Sequence, residues 1–303
     1  MKIIERTTEF RLPEPSAVAI GKFDGVHLGH RKLIEKIIEQ KNKKRLATVF
    51  TFDTSAAAFF GQDEKELTTI AEKRRIFEKM GIDVLIEFPL NSVTAATEPE
   101  EFVHRYLAAQ MKAAYICAGD DLSFGRNGSG NYELLEQYAS AYGYQTELID
   151  KVRVDGEEVS STRVREAVRE GRMEDVARML GTFYSVSGCV EHGRKLGRTI
   201  GMPTANLIPD PDKLLPPNGV YYSHAVINDR IYKGISNVGC KPTVNVGQTV
   251  SIETYLYDVA EDLYGKEMTV FLHAFRRAEM KFDNVEQLRA QMEADLAAGR
   301  NYV

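Results

Sequence analysis

The sequence predicts two successive domains of different class, an α/β domain over residues 1–182 and a small β-barrel with a C-terminal helix over residues 183–303. In the first part, apolar runs of strand length alternate with segments of helical periodicity, which is typical of a doubly wound parallel sheet. After Thr182 the chain changes to short β-rich runs separated by Gly, Pro and Asn, which is typical of a small barrel. The chain has 303 residues, enough for two domains of ordinary size.

The parallel sheet is predicted from five apolar runs with helical segments between them. The strands are expected at residues 17–20, 45–52, 83–88, 114–119 and 145–149, and the helices after His30 and near residues 72–80, 99–111 and 132–142. In such a sheet, ligands bind beyond the carboxyl ends of the strands, where the strand order reverses. A further helix at 173–180 ends at Gly181, a residue type that suits a helix C-terminus.

The barrel is predicted from five short runs rich in β-branched and aromatic residues. They cover residues 183–190, 220–227, 231–238, 249–257 and 267–275. The final helix has an apolar face with helical spacing, formed by Val285, Leu288, Met292 and Leu296. We expect this face to pack on the barrel rather than to bind a partner.

Composition and charge exclude several classes of function. Hydrophobic residues make up 43% of the chain and charged residues 27%, and the formal net charge is −5. That balance lacks the basic excess that duplex nucleic acid requires. No apolar run approaches the roughly 20 residues of a membrane span, and the N-terminus does not resemble a signal peptide. We therefore expect a cytoplasmic protein, a monomer or weak homo-oligomer, whose ligands are small phosphorylated molecules rather than nucleic acid or membrane.

A strand, a glycine-bearing turn and a helix N-terminus follow one another between residues 19 and 37. Free backbone N–H groups and the helix dipole make such a point an anion site. His27 and His30 lie there and can donate hydrogen bonds to phosphate oxygens, although a purely structural histidine pair would have the same spacing. Gly21 and Gly25 permit the sharp turn, and His27 and His30 bracket Gly29.

Two later loops are expected at the same edge of the sheet. Asp53 directly follows the second strand, where it is either a ligand contact or a plain cap of a turn or helix. The loop from Gly119 to Gly130 follows the fourth strand and contains four glycines, so its backbone can approach a ligand closely. Asp121 is the candidate contact in this loop.

The stretch Val159-Ser-Ser-Thr-Arg-Val-Arg165 carries three hydroxyls and two arginines within seven residues. Capping of the helix that follows explains one hydroxyl, and a capped surface helix is the structural alternative. The remaining groups suit a phosphate site, because the planar guanidinium fork of arginine matches phosphate geometry. The candidate phosphate contacts are Ser160, Ser161, Thr162 and Arg165.

The barrel begins with a basic, glycine-rich stretch that precedes two candidate metal ligands. Thr204 and Asn206 are two residues apart, so an extended strand places their hydroxyl and amide oxygens on one side. Such hard oxygen ligands suit Mg²⁺. The preceding stretch can form a phosphate-binding flap, and its candidate contacts are Gly193, Lys195, Gly197 and Arg198.

Several of these motifs resemble those of one enzyme family. Phe-Asp-Gly-Val-His-Leu-Gly-His at 23–30 resembles the His-x-Gly-His signature of nucleotidylyltransferases, in the version carried by bacterial bifunctional riboflavin kinase/FAD synthetases. The stretch 159–165 resembles the second superfamily signature, Ile-Ser-Ser-Thr-x-x-Arg. Gly201-Met-Pro-Thr-Ala-Asn-Leu207 resembles the riboflavin kinase motif, and residues 236–243 resemble a kinase element near the nucleotide. The resemblance covers nearly the whole chain, with the motifs in the family's order.

The resemblance implies a Rossmann-like nucleotidylyltransferase domain followed by a riboflavin kinase barrel. With ATP and Mg²⁺, the barrel would phosphorylate riboflavin to FMN, and the first domain would adenylylate FMN to FAD. Glu253 matches the family's catalytic glutamate, and His27, His30 and Arg165 would act on the reacting phosphates of the first site. Thr204 and Asn206 would bind the metal. Further ATP and phosphate contacts are implied at Gly21, Phe23, Asp24, Gly25, Gly29, Asp121, Ser160, Ser161, Thr162, Gly193, Lys195, Gly197, Arg198 and Asn237.

The flavin ring is implied to lie near the C-terminal helix, where the chain offers Phe271, Phe275, Arg276 and Phe282. One loop departs from the family pattern, because the family's Asp-Pro-His-Pro reads Asp-Thr-Ser-Ala at 53–56 and lacks the imidazole. This leaves open a riboflavin kinase with a weak or altered N-terminal nucleotidylyltransferase activity. A non-catalytic flavin-binding regulator is a second alternative, which the intact Thr204, Asn206 and Glu253 disfavour.

Overall fold

The computed structural model describes residues 1–54, 59, 61, 64–192, 201–242, 248–259 and 261–302, with the backbone alone at 240–242 and 248–249. The chain forms two compact units, Met1–Ser160 and Ser161–Val303, and each is described by itself. The first contains a parallel α/β sheet, and the second contains a closed antiparallel barrel and a C-terminal helix. The fold class predicted from the sequence is therefore confirmed.

The sheet of the first unit has six parallel strands in the order β1-β4-β3-β2-β5-β6. The strands are β1 (Lys2–Glu5), β2 (Ser16–Ile20), β3 (Leu46–Phe52), β4 (Val84–Phe88), β5 (Ala113–Gly119) and β6 (Gln145–Ile149). Because β3 and β5 pair with opposite sides of β2, the strand order reverses at β2. The turn after Ile20 therefore lies at the point where such sheets bind ligands.

Helices cover both faces of this sheet. They are α1 (Leu28–Glu39), α2 (Ile70–Met80), α3 (Pro99–Glu101) continued by a π-helix (Phe102–Gln110), and α4 (Tyr132–Tyr142). Alternate residues of β2 enter two separate cores, with Val18 and Ile20 in one and Ala17 and Ala19 in the other. Burial on both faces is the reason that these strands read as continuous apolar runs in the sequence.

Two pieces of the first unit were not predicted. Strand β1 has four residues of which only Ile4 is buried, so it presents no apolar run, and it pairs at the edge of the sheet with β4. A short antiparallel hairpin, β7 (Arg153–Val154) with β8 (Glu157–Glu158), precedes the second unit. Its four residues include one apolar side chain, Val154, and are largely exposed, which leaves no hydrophobic pattern to detect.

The second unit begins with α5 (Ser161–Arg169) and α6 (Met173–Leu180) and continues into the closed barrel β10-β13-β12-β11-β14-β9. The strands are β9 (Tyr184–Glu191), β10 (Ala205–Leu207), β11 (Gly219–Ile227), β12 (Arg230–Pro242), β13 (Gln248–Leu256) and β14 (Glu267–Ala278). The three-residue β10 was not predicted. Because α6 packs against β14 and β9, helices that the sequence assigned to the first domain belong by contact to the barrel unit. The boundary between catalytic domains expected at Thr182 stays a prediction.

The last helix, α7 (Val285–Tyr302), lies on the barrel. Gly299 is buried there, and Tyr257 and Ile235 fill the space that a larger side chain would need. The Tyr257 hydroxyl donates a hydrogen bond to the carbonyl oxygen of Leu296 at 2.6 Å. Of the predicted apolar face, Val285 is 51% exposed and the other three residues face the barrel. Among the described residues, no helix has the length and apolar character needed to cross a membrane.

Candidate active sites

The turn after β2 has a strained backbone. Phe23 has φ +52°, Gly25 has φ +85° and Val26 has φ +43°. A β-branched residue at positive φ is uncommon, and such conformations persist only where the surrounding structure enforces them, as at binding sites. The fully buried Phe23 ring supports the turn from below by packing against Phe77. Any ligand contact of Phe23 is thus left to its backbone.

The three glycines of this turn meet different structural requirements. Only Gly25 has a positive φ. A Cβ at Gly21 would lie 3.2 Å from the Phe23 ring, and a Cβ at Gly29 would lie 3.2 Å from the His27 ring. Gly21 and Gly29 therefore leave space for the Phe23 and His27 rings. The sharp turn was expected to depend on Gly21 as well, but among these glycines only Gly25 adopts a positive φ.

His27 and His30 lie together at the start of α1, as predicted. The His27 Nδ1 accepts a hydrogen bond from the backbone N–H of His30 at 3.4 Å and so caps the helix. Because Nδ1 is an acceptor, the proton of the neutral His27 ring lies on Nε2, which is a donor. The two rings stack with centroids 3.7 Å apart and 16° between their planes. The pair therefore presents hydrogen-bond donors at a helix N-terminus.

Both rings are neutral near neutral pH. Burial lowers the pKa of His27 from 6.5 to about 4, and the negative charge of Asp121 only partly opposes this shift. Burial also lowers the pKa of His30 well below its ordinary value, and a proton on His27 and the positive charge of Lys73 act in the same direction. The histidines are therefore suited to donate hydrogen bonds to phosphate rather than to act as cations.

Two aspartates near the turn hold backbone groups. The Asp24 Oδ1 accepts from the backbone N–H of Thr68 at 3.1 Å, which ties the segment before α2 to the turn. The Asp53 Oδ1 accepts from the backbone N–H of Leu90 at 3.0 Å. Asp53 therefore caps the turn after β4, which was the structural alternative for this residue.

The glycine-rich loop after β5 has one exposed carboxylate and one buried ring. Asp121 is exposed, and its charge acts on His27. Phe124 is buried and packs on Phe102 at 5.1 Å between centroids, and its backbone pairs with that of Gly130. The motif residue Phe124 thus anchors the loop, while Asp121 stays a candidate ligand contact.

The hydroxyl-rich stretch lies at the start of an amphipathic helix. Ser160 is exposed and ends the first compact unit, and α5 begins at Ser161 in the second. Thr162 is exposed and Arg165 is half-buried, whereas Val164 and Val168 on the other face are fully buried. The polar groups are therefore placed at a helix N-terminus, as the sequence predicts.

In the barrel, a row of polar residues crosses three adjacent strands. Asn206 of β10 lies directly opposite Glu253 of β13, and Glu253 lies directly opposite Asn237 of β12. Directly opposed residues in an antiparallel ladder project to the same face. The row continues through Val220 of β11 to Arg277 of β14. The barrel register thus assembles a polar wall from residues that are distant in sequence.

A cavity of about 530 Å³ lies beside this row. Its polar wall includes Thr204, Asn237, Glu253 and Arg277, and its apolar wall includes Met280, Phe282, Leu288, Met292 and Leu296. A pocket of this size, with an apolar wall and a few convergent polar groups, is typical of a site for a small organic ligand. The apolar face of α7 is therefore a wall of the cavity and not only a packing surface.

A second cavity, of about 720 Å³, adjoins the first. Thr204 and Tyr255 line both cavities. The second is otherwise lined mainly by the segment after β13, including Asp258, Glu261, Asp262, Leu263 and Tyr264. Two ligands bound in the two cavities would meet at Thr204.

A buried ion-pair cluster attaches α7 to the barrel beside the first cavity. Asp295, 3% exposed, accepts from Arg276 Nε at 2.7 Å and from an Arg277 terminal nitrogen at 2.6 Å. Gln291 adds a third hydrogen bond at 3.0 Å. Burial favours the neutral acid, but the hydrogen bonds from Arg277 and Arg276 outweigh it and lower the pKa of Asp295. The charged cluster therefore stabilises the docked position of α7.

Comparison with known proteins matches both parts of the chain. A family model described as FAD synthetase matches residues 10–163, and one described as riboflavin kinase matches residues 180–303. The chain is 35% identical over 282 residues to the bifunctional riboflavin kinase/FMN adenylyltransferase of Listeria monocytogenes, covering 92% of this chain and 89% of that protein. The chain belongs to the bifunctional riboflavin kinase/FMN adenylyltransferase family. The resemblance drawn from its motifs is confirmed.

A second relative and a solved structure also match nearly the whole chain. The Escherichia coli K12 bifunctional riboflavin kinase/FMN adenylyltransferase is 32% identical over 293 residues, covering 95% of this chain and 93% of that protein. A crystal structure described as a macrolide-efflux protein from Streptococcus pneumoniae matches with a TM-score of 0.88 and 29% identity, covering 99% of each chain. That description belongs to the S. pneumoniae protein, and its likeness to this chain is one of fold.

Some of the residues that the sequence motifs singled out lie outside the described residues. They are the flap residues Gly193, Lys195, Gly197 and Arg198, together with Ser55, Ala56 and Thr243. In the predicted ring-binding region, Phe282 lines the first cavity, whereas Phe271 stacks on His224 and Phe275 contacts Tyr221. Arg276 binds Asp295 instead of facing the cavity.

The donor set in the first cavity fits Mg²⁺. Thr204 and Glu253 line the cavity, and Asn206 is the direct cross-strand neighbour of Glu253. The Asn206 amide nitrogen donates to the Thr204 carbonyl oxygen at 3.4 Å, so a hydrogen bond joins the two candidate ligand residues. A hydroxyl, an amide oxygen and a carboxylate are ligands that Mg²⁺ prefers.

The ion pair between Asp295 and Arg277 was not predicted from the sequence. A signal for Asp295 exists, because it lies three residues after Met292 on the apolar face of α7, where a charged residue indicates a buried ion pair. Nothing local identifies Arg277 as its partner, since the two residues meet only when the helix docks on β14.

Proposed function

We propose that this enzyme transfers the γ-phosphoryl group of ATP to riboflavin, giving FMN, and the adenylyl group of a second ATP to FMN, giving FAD and pyrophosphate. The observation that carries the proposal is the presence of Thr204 and Glu253 in the wall of a ligand-sized cavity, with Asn206 as the direct cross-strand neighbour of Glu253. Relatives matched over nearly the whole chain carry both activities in their names.

In the kinase step, Glu253 is the general base. An attacking alcohol must lose its proton as the new bond forms, so the reaction needs a carboxylate within reach of the hydroxyl. The ribityl oxygen forms a bond to the γ-phosphorus, the bond to the β–γ bridging oxygen breaks, and ADP leaves. The proton passes to the Glu253 carboxylate. The apolar wall formed by α7 would hold the flavin ring, and Asn237 would contact the reacting groups.

Thr204 and Asn206 would hold Mg²⁺ beside the transferred phosphoryl group. The ion, when bound, neutralises negative charge on the phosphates. The second cavity would take the nucleotide, since it shares Thr204 with the first cavity and so brings the terminal phosphate to the junction. The flap residues Gly193, Lys195, Gly197 and Arg198 would contact the phosphates.

In the adenylyl step, no general base is required, because the attacking FMN phosphate is already ionised. Its oxygen forms a bond to the α-phosphorus of ATP, and the bond to the leaving pyrophosphate breaks. Catalysis then depends on positioning and on hydrogen bonds to developing charge. Neutral His27 and His30 would donate to the reacting phosphates, and the pyrophosphate would be held by Ser161, Thr162 and Arg165.

We also propose further phosphate contacts in the adenylyl site. They are Ser160, Asp121, Asp24 and the backbone of Gly21, Phe23, Gly25 and Gly29. The enzyme would act in the cytoplasm as a monomer or weak homo-oligomer without binding nucleic acid, in keeping with its net charge of −5.

A riboflavin kinase with a weak adenylyl activity is the second candidate. It is favoured by the Asp53 carboxylate, which accepts a hydrogen bond from the Leu90 backbone and so acts as a turn cap. Incubating the full chain with FMN, ATP and Mg²⁺, and separating the products by chromatography, decides between the candidates. Rapid FAD formation supports the bifunctional enzyme, and conversion of riboflavin to FMN without FAD supports the second.

A further inference from the structure

One buried lysine lies near the turn that carries His27 and His30, which we call the histidine turn. This lysine takes no part in the proposed reaction steps. Lys73 lies in the first part of α2 and is only 7% exposed. Within the part of the chain that the structure describes, its ammonium makes no hydrogen bond or ion pair. Lysine is almost never buried in this way without a partner, because removing its charge from water costs several kcal/mol.

Two contacts place α2 against the histidine turn. The backbone N–H of Thr68, two residues before the helix, donates to Asp24 at 3.1 Å. The Phe77 ring packs edge-on to Phe23 with centroids 5.6 Å apart, and Phe23 in turn contacts His30 at 5.1 Å. Lys73 is four residues before Phe77 and therefore lies on the same face of α2.

The neighbouring acidic residue does not neutralise this lysine. The Glu72 carboxylate accepts from the backbone N–H of Thr69 at 3.2 Å, as part of the capping box that starts α2. Residues adjacent in a helix point in different directions. The charge of Lys73 instead acts on His30, where it helps to lower the pKa of that ring.

Each histidine of the pair is therefore influenced by a different charged residue. Asp121, after β5, acts on His27, and Lys73, after β3, acts on His30. An anion bound at the His30 side would gain a charge-assisted hydrogen bond from the Lys73 ammonium. The substrates proposed for this site supply such anions as phosphate groups.

We propose that Lys73 is a further phosphate-binding residue of the adenylyl site, whose ammonium donates to a phosphate oxygen beside His30. This inference rests on the proposed role of the histidine turn. The phosphate belongs either to FMN or to ATP, and the chemistry of recognition is the same for both. Lys73 belongs to the first compact unit and the proposed kinase residues to the second, so the kinase activity of the same molecule is an internal control.

The test compares Lys73→Met, Lys73→Arg and Lys79→Met in the full chain. Lys79 is an exposed lysine on the same helix and is the matched control. For Lys73→Met, kcat/KM for FMN adenylylation should fall about 10- to 100-fold, as expected for one charge-assisted hydrogen bond, with riboflavin phosphorylation unchanged. Lys73→Arg should retain much of the activity. The substrate whose KM rises more, FMN or ATP, identifies the bound phosphate.

A second measurement separates a phosphate contact from a structural role. NMR titration of His30 in Lys73→Met should show a raised pKa in the unliganded protein, because a nearby positive charge is gone. Full FMN adenylylation by Lys73→Met, alongside its loss in His30→Ala, would overturn the inference and leave the histidine site intact. Unchanged adenylylation in His30→Ala would overturn the proposed site itself.

Discussion

Asn206 and Glu253 are direct antiparallel partners in the barrel, although they lie 47 positions apart in the chain, the difference between the two numbers. This pairing brings a candidate metal-binding amide and a candidate general base to one face of the sheet. It links the two requirements of the kinase step, because the base and the cation must flank the same phosphoryl transfer. Two of the predictions below follow from it.

Replacing Glu253 with Gln should abolish most riboflavin phosphorylation while leaving FMN adenylylation intact. Gln keeps the shape and a hydrogen bond but cannot take the proton, so kcat should fall by about 10²- to 10⁴-fold. Product chromatography with riboflavin or FMN as the starting flavin measures both activities on one preparation. Glu267→Gln, on an exposed position of β14, is the matched control. An equal loss of both activities would contradict the assignment of Glu253 to one step.

Replacing Asn206 with Ala should raise the Mg²⁺ concentration that half-activates the kinase by at least about tenfold, the effect typical of a weakened metal site. The Mg²⁺ dependence of FMN adenylylation in the same variant should not change, since Asn206 lies in the barrel. Titration of each activity with Mg²⁺ gives both values. A kinase with an unaltered Mg²⁺ requirement would argue against Asn206 as a ligand.

Replacing Asp295 with Asn should weaken the docking of α7. The change leaves Arg276 and Arg277 without their shared carboxylate, and breaking a buried ion pair costs about 3–5 kcal/mol in unfolding free energy. Because α7 forms the apolar wall of the first cavity, KM for riboflavin should also rise. Urea unfolding and kinase kinetics measure the two effects.

Glu293→Gln is the matched control for this prediction. Glu293 pairs with Arg289 on the exposed face of α7, where ion pairs contribute little. Its unfolding free energy should change by less than about 1 kcal/mol. If Asp295→Asn behaved like Glu293→Gln in both measurements, the cluster would not hold the helix.

The stability of the enzyme should fall as the pH drops from about 6.5 to 4, partly because of His27. Its pKa is about 4 in the folded chain, against an ordinary 6.5. Above pH 6.5 neither state is protonated, so His27 contributes nothing, and below it the unfolded chain binds the proton first. The resulting loss is about 2 kcal/mol of unfolding free energy at pH 5.

Replacing His27 with Asn isolates this contribution, because Asn is a good helix N-cap but does not titrate. Urea unfolding at pH 7.5 and pH 5 should show a smaller pH dependence in His27→Asn than in the parent. His104→Gln, at an exposed position of the π-helix, should keep the parental pH dependence. An unchanged pH dependence in His27→Asn would contradict the buried neutral state of His27.

Much of the architecture was readable from local patterns. Strands β2 to β5 are buried on both faces, so their apolar runs stand out, whereas β1 and β10 are too short to produce a pattern. The histidine turn and the Thr204–Asn206 segment could be predicted because the candidate functional side chains of each lie within a few residues of one another in the sequence. Asp53 was left undecided, since its hydrogen bond to Leu90 depends on how two strands end side by side.

By itself, the sequence determined the two fold classes, the family and the residue types that each reaction needs, because periodicity and short motifs are local properties. Only the tertiary structure decided that Glu253 lies between Asn206 and Asn237, that α7 walls the cavity, and that Lys73 is buried beside the histidine turn. These relationships depend on strand register and helix docking. Both are set by the sum of many distant packing contacts, which no short stretch of sequence records.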